Sequence, residues 1–243
     1  MIKAFLAALT ATALGFASPV VDWGLGPNGQ GVPPTPPSHG AMILEKHNGL
    51  YRQETDEKRV FFTFDLGYEA GYTAEVLDIL KEHNIKAIFF LCGNYLKETD
   101  LVNRMIDEGH IIGNHTDRHK DLPTLSREGI VTDIMTFQND FTTQFPKAAA
   151  PVWFRPPKGR IDEKTLAVAS ENNLKTMMWS IAIKDWGKTP INADQSSQTI
   201  IKRIHPGAII LFHITNAGMP RTIEKLIPML EEQGYEIASH EKL

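Results

Sequence analysis

One cysteine, Cys92, stands in 243 residues. No disulfide can close within the chain, and no cysteine-rich zinc module can be built. No apolar run reaches the roughly 20 residues of a standard membrane-spanning helix. Lys and Arg number 25 against 29 Asp and Glu, a net charge of −4. Without a basic excess there is no drive toward nucleic acid through phosphate neutralisation. No Gly-rich dinucleotide or phosphate loop follows the first strand-like run. The zincin signature is also missing, because Thr116 stands where His115 and His119 would need a glutamate between them. What is present is ordinary globular material, 42% apolar and 22% charged, long enough for one large domain with a full core.

The chain opens MIKAFLAALTATALGFAS, with Lys3 the only charge before Asp22. A positive residue, an apolar stretch and small residues, in that order, predict a secretory signal over 1–17 and an exported protein. Once that signal is removed, no integral membrane span is expected. Residues 18–40 include a Gly- and Pro-rich run that reads as a linker or as an extended arm packed on the domain. No later break in composition follows, so one domain over 41–243 is expected.

From there, strand-like and helix-like segments alternate. Strands are expected at 60–64, 86–92, 110–113, 152–155, 175–180, 208–213 and 235–238. Helices are expected at 73–83, 100–108 with Thr99 as cap, 126–145, 162–172 capped by Asp162, 195–204, and 220–233 with Pro228 as a kink. Such alternation implies parallel strands buried on both faces. With roughly seven or eight of them, the α/β architecture expected is a (β/α) barrel, against a doubly wound open sheet as the competitor.

In such folds chemistry gathers at the C-terminal ends of strands. Asp65 follows VFFTF. His115 and His119 follow HIIG. Arg155 opens R-P-P-K-G, Asp185 and Trp186 come shortly after KTMMWS, and His213 ends AIILFH. Each has a bland reading as a cap, a turn residue or a core histidine. It is their shared position, strand after strand, that points to one site.

Together these segments resemble the polysaccharide deacetylases of carbohydrate esterase family 4, the NodB homology domain. The likeness runs from about Arg59 onward through Thr63-Phe64-Asp65-Leu66-Gly67, His115-Thr116-Asp117-Arg118-His119, Arg155-Pro156-Pro157-Lys158-Gly159, Asp185-Trp186 and Leu211-Phe212-His213. The resemblance implies a distorted (β/α) barrel. Within the family the chain looks most like the muramic acid deacetylases that lead to the δ-lactam of spore cortex, through G-Y-E-A-G-Y-T at 67–73 and W-S-I-A-I-K-D-W at 179–186. That likeness implies peptidoglycan glycan strands without stem peptides as partner and substrate. Deacetylases of chitin or xylan, and a degenerate glycan binder, are the other readings.

By resemblance, Asp65 is the general base, Arg155 orients it, and His213 protonates the departing amine with Asp185 in the same catalytic group. Trp186, Leu211 and Pro156 contact substrate, and His115 and His119 are metal ligands. Two positions depart from the family pattern. Leu66 replaces an aspartate that ligates the metal, so a divalent ion such as zinc is expected to bind weakly or not at all. Glu69 and Asp117 are the nearby carboxylates that could substitute. Ala182 replaces an aspartate that steers the acid histidine, so His213 is expected to lack that partner. Cys92 is expected as a small core residue rather than a nucleophile.

Overall fold

The computed structural model describes residues 19–26, 28–187 and 189–243. The signal expected over 1–17 lies outside the described residues. The chain enters through β1 (Val21–Asp22) and α1 (Ser38–Lys46). It then alternates through β2 (Arg59–Leu66), α2 (Thr73–Glu82), β3 (Ile88–Leu91), α3 (Thr99–Asp107), β4 (Ile111–Asn114) and α4 (Arg127–Gln144). β5 (Trp153–Phe154), β6 (Arg160–Ile161), α5 (Glu163–Glu171), β7 (Lys175–Thr176), β8 (Ile181–Ala182), α6 (Ala193–Ile201), β9 (Ala208–Phe212), α7 (Met219–Glu232) and β10 (Glu236–Ile237) complete it.

The main sheet runs β7-β5-β4-β3-β2-β9-β8, with β10 paired to the start of β2. Every ladder in it is parallel. The strands curl into a barrel that is distorted rather than closed: no ladder joins β7 to β8 among the described residues. The expected parallel architecture therefore holds.

β2 sits centrally because both of its faces are buried. Val60, Phe62, Phe64 and Leu66 join the large apolar cluster, while Phe61 belongs to a second one. Phe64 stacks on Phe89 at 4.9 Å and on Phe212 at 5.4 Å, locking three neighbouring strands together. Each such buried ring contributes about 2–3 kcal/mol of apolar transfer. The alternation of side chains along β2 leaves Thr63 and Asp65 on the face opposite Phe64.

Three local expectations change. Thr99 is the first residue of α3 and not its cap, which is Glu98 without a side-chain bond. β8 starts only at Ile181, so the strand expected at 175–180 is cut short after β7. Its carbonyls at Met177 and Met178 accept from the Arg155 guanidinium instead of extending the ladder. α1 begins at Ser38, within the segment read as an arm. The arm itself is docked: β1 pairs antiparallel with β6, and the buried Trp23 donates its indole N–H to the Trp179 carbonyl at 3.0 Å. Asp162, by contrast, caps α5 as expected, accepting from the Thr165 amide at 2.8 Å.

Candidate active site

The strand ends open on a cavity of about 760 Å³, whose wall includes Asp65, His115, His119, Trp186 and His213. Five of the nine residues singled out from the sequence thus meet in one pocket. Two more, Arg155 and Asp185, are fully buried behind it. They touch the pocket residues rather than its contents, so they are positioning residues. Leu211 and Pro156 are buried and form no part of the wall. Register explains Leu211: it pairs with Thr63, two residues before Asp65 on β2, and so lies below the pocket floor.

Asp65 is held by a side chain that has nowhere else to go. The Arg155 guanidinium donates to Asp65 Oδ1 at 2.8 Å, to Thr63 Oγ1 at 3.0 Å, and to the carbonyls of Met177 at 2.9 Å and Met178 at 3.0 Å. Its Cζ lies over the Phe90 ring, 4.1 Å from the centroid. A buried cation with its donors satisfied is fixed in orientation. Burial alone would raise the Asp65 carboxyl, but the Arg155 charge and the imidazoles of His115 and His213 outweigh it and hold it below the usual carboxylate range. Asp65 is therefore an ionised acceptor at neutral pH.

The two histidines after β4 stand in a strained loop and not on a helix. Thr116 has φ 68° and His119 has φ 52°, a conformation that costs a β-branched residue about 1–3 kcal/mol. Hydrogen bonds offset it. The Thr116 amide donates to Asn114 Oδ1 at 2.9 Å, and the His119 amide to Thr116 Oγ1 at 3.0 Å. Gly93 lets the loop close against the next wall, since a Cβ there would sit 3.0 Å from the Asp117 carbonyl oxygen. The result brings the two imidazoles to 5.0 Å between centroids. His115 Nδ1 lies 2.7 Å from the Arg155 carbonyl, so it carries the proton and leaves Nε2 as a lone pair, 3.6 Å from Asp65 Oδ2. Burial pushes His115 down to about 4 against the upward pull of Asp65, and burial lowers His119 as well.

Neutral imidazoles with a free nitrogen are the right form for ligating a metal. The rest of the donor set does not fit a tight site. Leu66 is fully buried in the apolar cluster and offers no donor atom. Glu69 is committed elsewhere, accepting from Tyr95 Oη at 2.6 Å and from the amides of Gly71 and Thr73. Asp117 lines the pocket but is engaged by Arg118 Nε at 3.1 Å. Among the described residues no group of three or more His, Cys, Asp or Glu side chains is arranged to hold a metal ion.

Across the pocket His213 has the opposite setting. Its Nδ1 lies 2.8 Å from Asp185 Oδ1, and its backbone amide donates to Asp185 Oδ2 at 2.7 Å. Burial opposes protonation, but the hydrogen bond and charge of Asp185 overcome it and raise His213 above its ordinary value. Ala182 offers His213 no partner, as expected; the carboxylate that bonds the imidazole is Asp185. Trp186 packs edge-on to the same ring at 5.5 Å.

Reading the strand ends missed several wall residues. Tyr68, Asn94, Arg118 and Thr215 also line the cavity. Arg118 lies inside the His115–His119 run and Thr215 two residues past His213, so proximity in sequence was their only signal. Cys92 is buried as expected yet reaches the wall. Its thiol donates to the His115 carbonyl at 3.4 Å, and burial raises its pKa, which makes it inert.

Residues 52–177 match the family model described as polysaccharide deacetylase. The peptidoglycan-N-acetylmuramic acid deacetylase PdaA of Bacillus subtilis is 34% identical over 228 residues, which cover 92% of this chain and 85% of that protein. The solved structure of B. subtilis PdaA, a family 4 carbohydrate esterase, aligns with TM-score 0.87 at 33% identity over 92% of this chain and 96% of that one. A family 4 pseudoenzyme from Bacillus anthracis aligns with TM-score 0.74 at 28% identity, over 80% and 68%. The chain belongs to the polysaccharide deacetylase family.

Proposed function

We propose, with membership of the polysaccharide deacetylase family as the premise, that this hydrolase removes the acetyl group from N-acetylmuramic residues of peptidoglycan strands that lack stem peptides. One observation carries the chemistry. An ionised carboxylate fixed by Arg155 and a proton-bearing imidazole fixed by Asp185 share a single pocket. The similarity to PdaA over nearly the whole chain supports the muramic substrate.

Amide hydrolysis needs an activated water and an acid for the leaving amine. Asp65 takes a proton from water as its oxygen attacks the acetyl carbonyl carbon. Arg155 keeps that carboxylate aimed and charged before the step. His213 gives its proton to the sugar nitrogen as the carbon–nitrogen bond breaks, leaving acetate and a free amine. The freed amine can then close onto the lactyl carboxyl of the same sugar with loss of water, giving a muramic δ-lactam. The donor set around His115 and His119 does not complete a metal site, so no step is assigned to a metal. Such a substrate lies outside the cytoplasm, in keeping with the signal expected over 1–17. None of the described helices is long and apolar enough to cross a membrane.

The test is acetate release from peptide-stripped peptidoglycan strands, with intact peptidoglycan and chitin oligomers beside them. Release confined to the stripped strands is expected. Release from chitin alone would overturn the substrate. Binding without release from any polymer would place this chain with the pseudoenzymes of its family.

A further inference from the structure

A second pocket, of about 280 Å³, adjoins the first and shares Trp186 with it. Trp23 and Leu25 of the docked arm, Trp179, Lys184 and Arg203 line it. Indole faces are the usual platform for a sugar ring, being apolar, flat and cheap to order. The charge in this pocket is one-sided. Arg203 is partly buried, yet among the described residues it donates only to neutral acceptors, the Ala182 carbonyl at 3.0 Å and Asn28 Oδ1 at 3.2 Å. Lys184 is exposed and has no carboxylate partner among the described residues. The acid beside it in sequence, Asp185, is spent on His213. Burial depresses the Arg203 guanidinium with no acid nearby to oppose it. A partly desolvated cation without a counter-charge favours the approach of an anion.

We infer that this pocket is an acid-sugar subsite, in which Lys184 and Arg203 bind a glycan carboxylate while the indoles of Trp179 and Trp186 hold the ring that bears it, over the buried Trp23. The inference rests on the muramic reading above and deepens it, because the lactyl group is what distinguishes muramic acid from glucosamine. The N-terminal arm gains a role as well, since Trp23 and Leu25 complete the wall. Selectivity for an anionic strand then comes from a pocket beside the catalytic one, joined to it through Trp186.

The experiment titrates tryptophan fluorescence of an Asp65→Asn variant, chosen to suppress turnover, with peptide-free muramic oligosaccharides. The same oligosaccharides with their carboxyls converted to neutral amides serve as the comparison. The acidic glycan is expected to bind about tenfold more tightly, the scale of a charge-assisted hydrogen bond. Lys184→Gln, an exposed change that leaves the fold alone, should cut that preference to about threefold. Arg203→Gln should abolish most of what remains, and neither should alter binding of the amidated glycan by more than about twofold. Equal affinity for the acidic and amidated glycans overturns the subsite, as does a preference that survives both substitutions. Comparing a disaccharide with a tetrasaccharide then assigns the carboxylate to the sugar in the catalytic pocket or to the next muramic residue. Acetate release is read separately on the unmodified protein. Turnover without charge preference defeats the subsite alone, and charge preference without turnover defeats the hydrolase reading alone.

Discussion

The pocket has two walls that use the same side chain to opposite ends. On one wall His115 points its Nδ1 at a backbone carbonyl, that of Arg155, and its imidazole is pushed down to about 4 by burial. On the other, His213 points its Nδ1 at the Asp185 carboxylate and is raised despite burial. A carbonyl dipole fixes the tautomer but cannot offset the cost of burying a charge, whereas a carboxylate can. One bonded partner therefore decides which histidine stays neutral and which holds a proton more readily. The carboxylates follow the same logic. Asp65 faces the pocket and is kept ionised by a cation, while Asp185 is hidden and keeps a neighbour charged.

The comparison breaks most completely at Asp65. Asp65→Asn removes the ionised acceptor and is expected to lower the acetate release rate about 10⁴-fold, the upper range of general-base catalysis. Circular dichroism should show the fold retained. A loss of less than tenfold would assign the base elsewhere.

A smaller effect is expected from making the two walls alike. Asp185→Asn takes away the group that raises His213, so its imidazole titrates lower. Activity that depends on protonated His213 is lost as pH rises through its pKa, so the alkaline limb of the pH–rate profile should move to lower pH. At neutral pH the rate should fall about 10²-fold. A profile that drops in height without moving would make Asp185 a structural support only.

The smallest effect concerns the neutral wall. Because its donors stop at two imidazoles, exhaustive dialysis against a chelator should leave the thermal midpoint within about 1 °C of the untreated protein, whereas a tightly held ion would stabilise by several kcal/mol. Metal at one equivalent per chain after dialysis, measured by atomic emission, would show that a further donor reaches His115 and His119.

Much of this was legible before any coordinates. Apolar runs of strand length, spaced by helix-period segments, announced a parallel sheet because both of its faces must be covered. The strand ends gathered Asp65, His115, His119 and His213 because the fold has one functional edge. What failed was local. The stretch after Lys175 looks like one continuous strand, but the guanidinium of Arg155 claims its carbonyls. The helix from Ser38 follows a run of prolines that masks it, since Pro is tolerated ahead of a helix as readily as in a linker. Leu211 has the right position in a motif but the wrong depth in the barrel, a matter of register that a single strand cannot reveal.

The sequence by itself determined which chemistry is present: a carboxylate, an arginine, three imidazoles, and a leucine where a donor would be needed. Those are properties of residue type and survive any arrangement. Only the tertiary structure decided what state each takes. His115 and His213 are the same residue, and nothing in their flanking sequence says that one meets a carbonyl and the other a carboxylate. The partner of Arg155 on β2, the Asp185 that meets His213, and the arm that brings Trp23 against Trp179 all join parts of the chain far apart in sequence. Protonation and selectivity depend on distance through space, and the folded chain alone sets those distances.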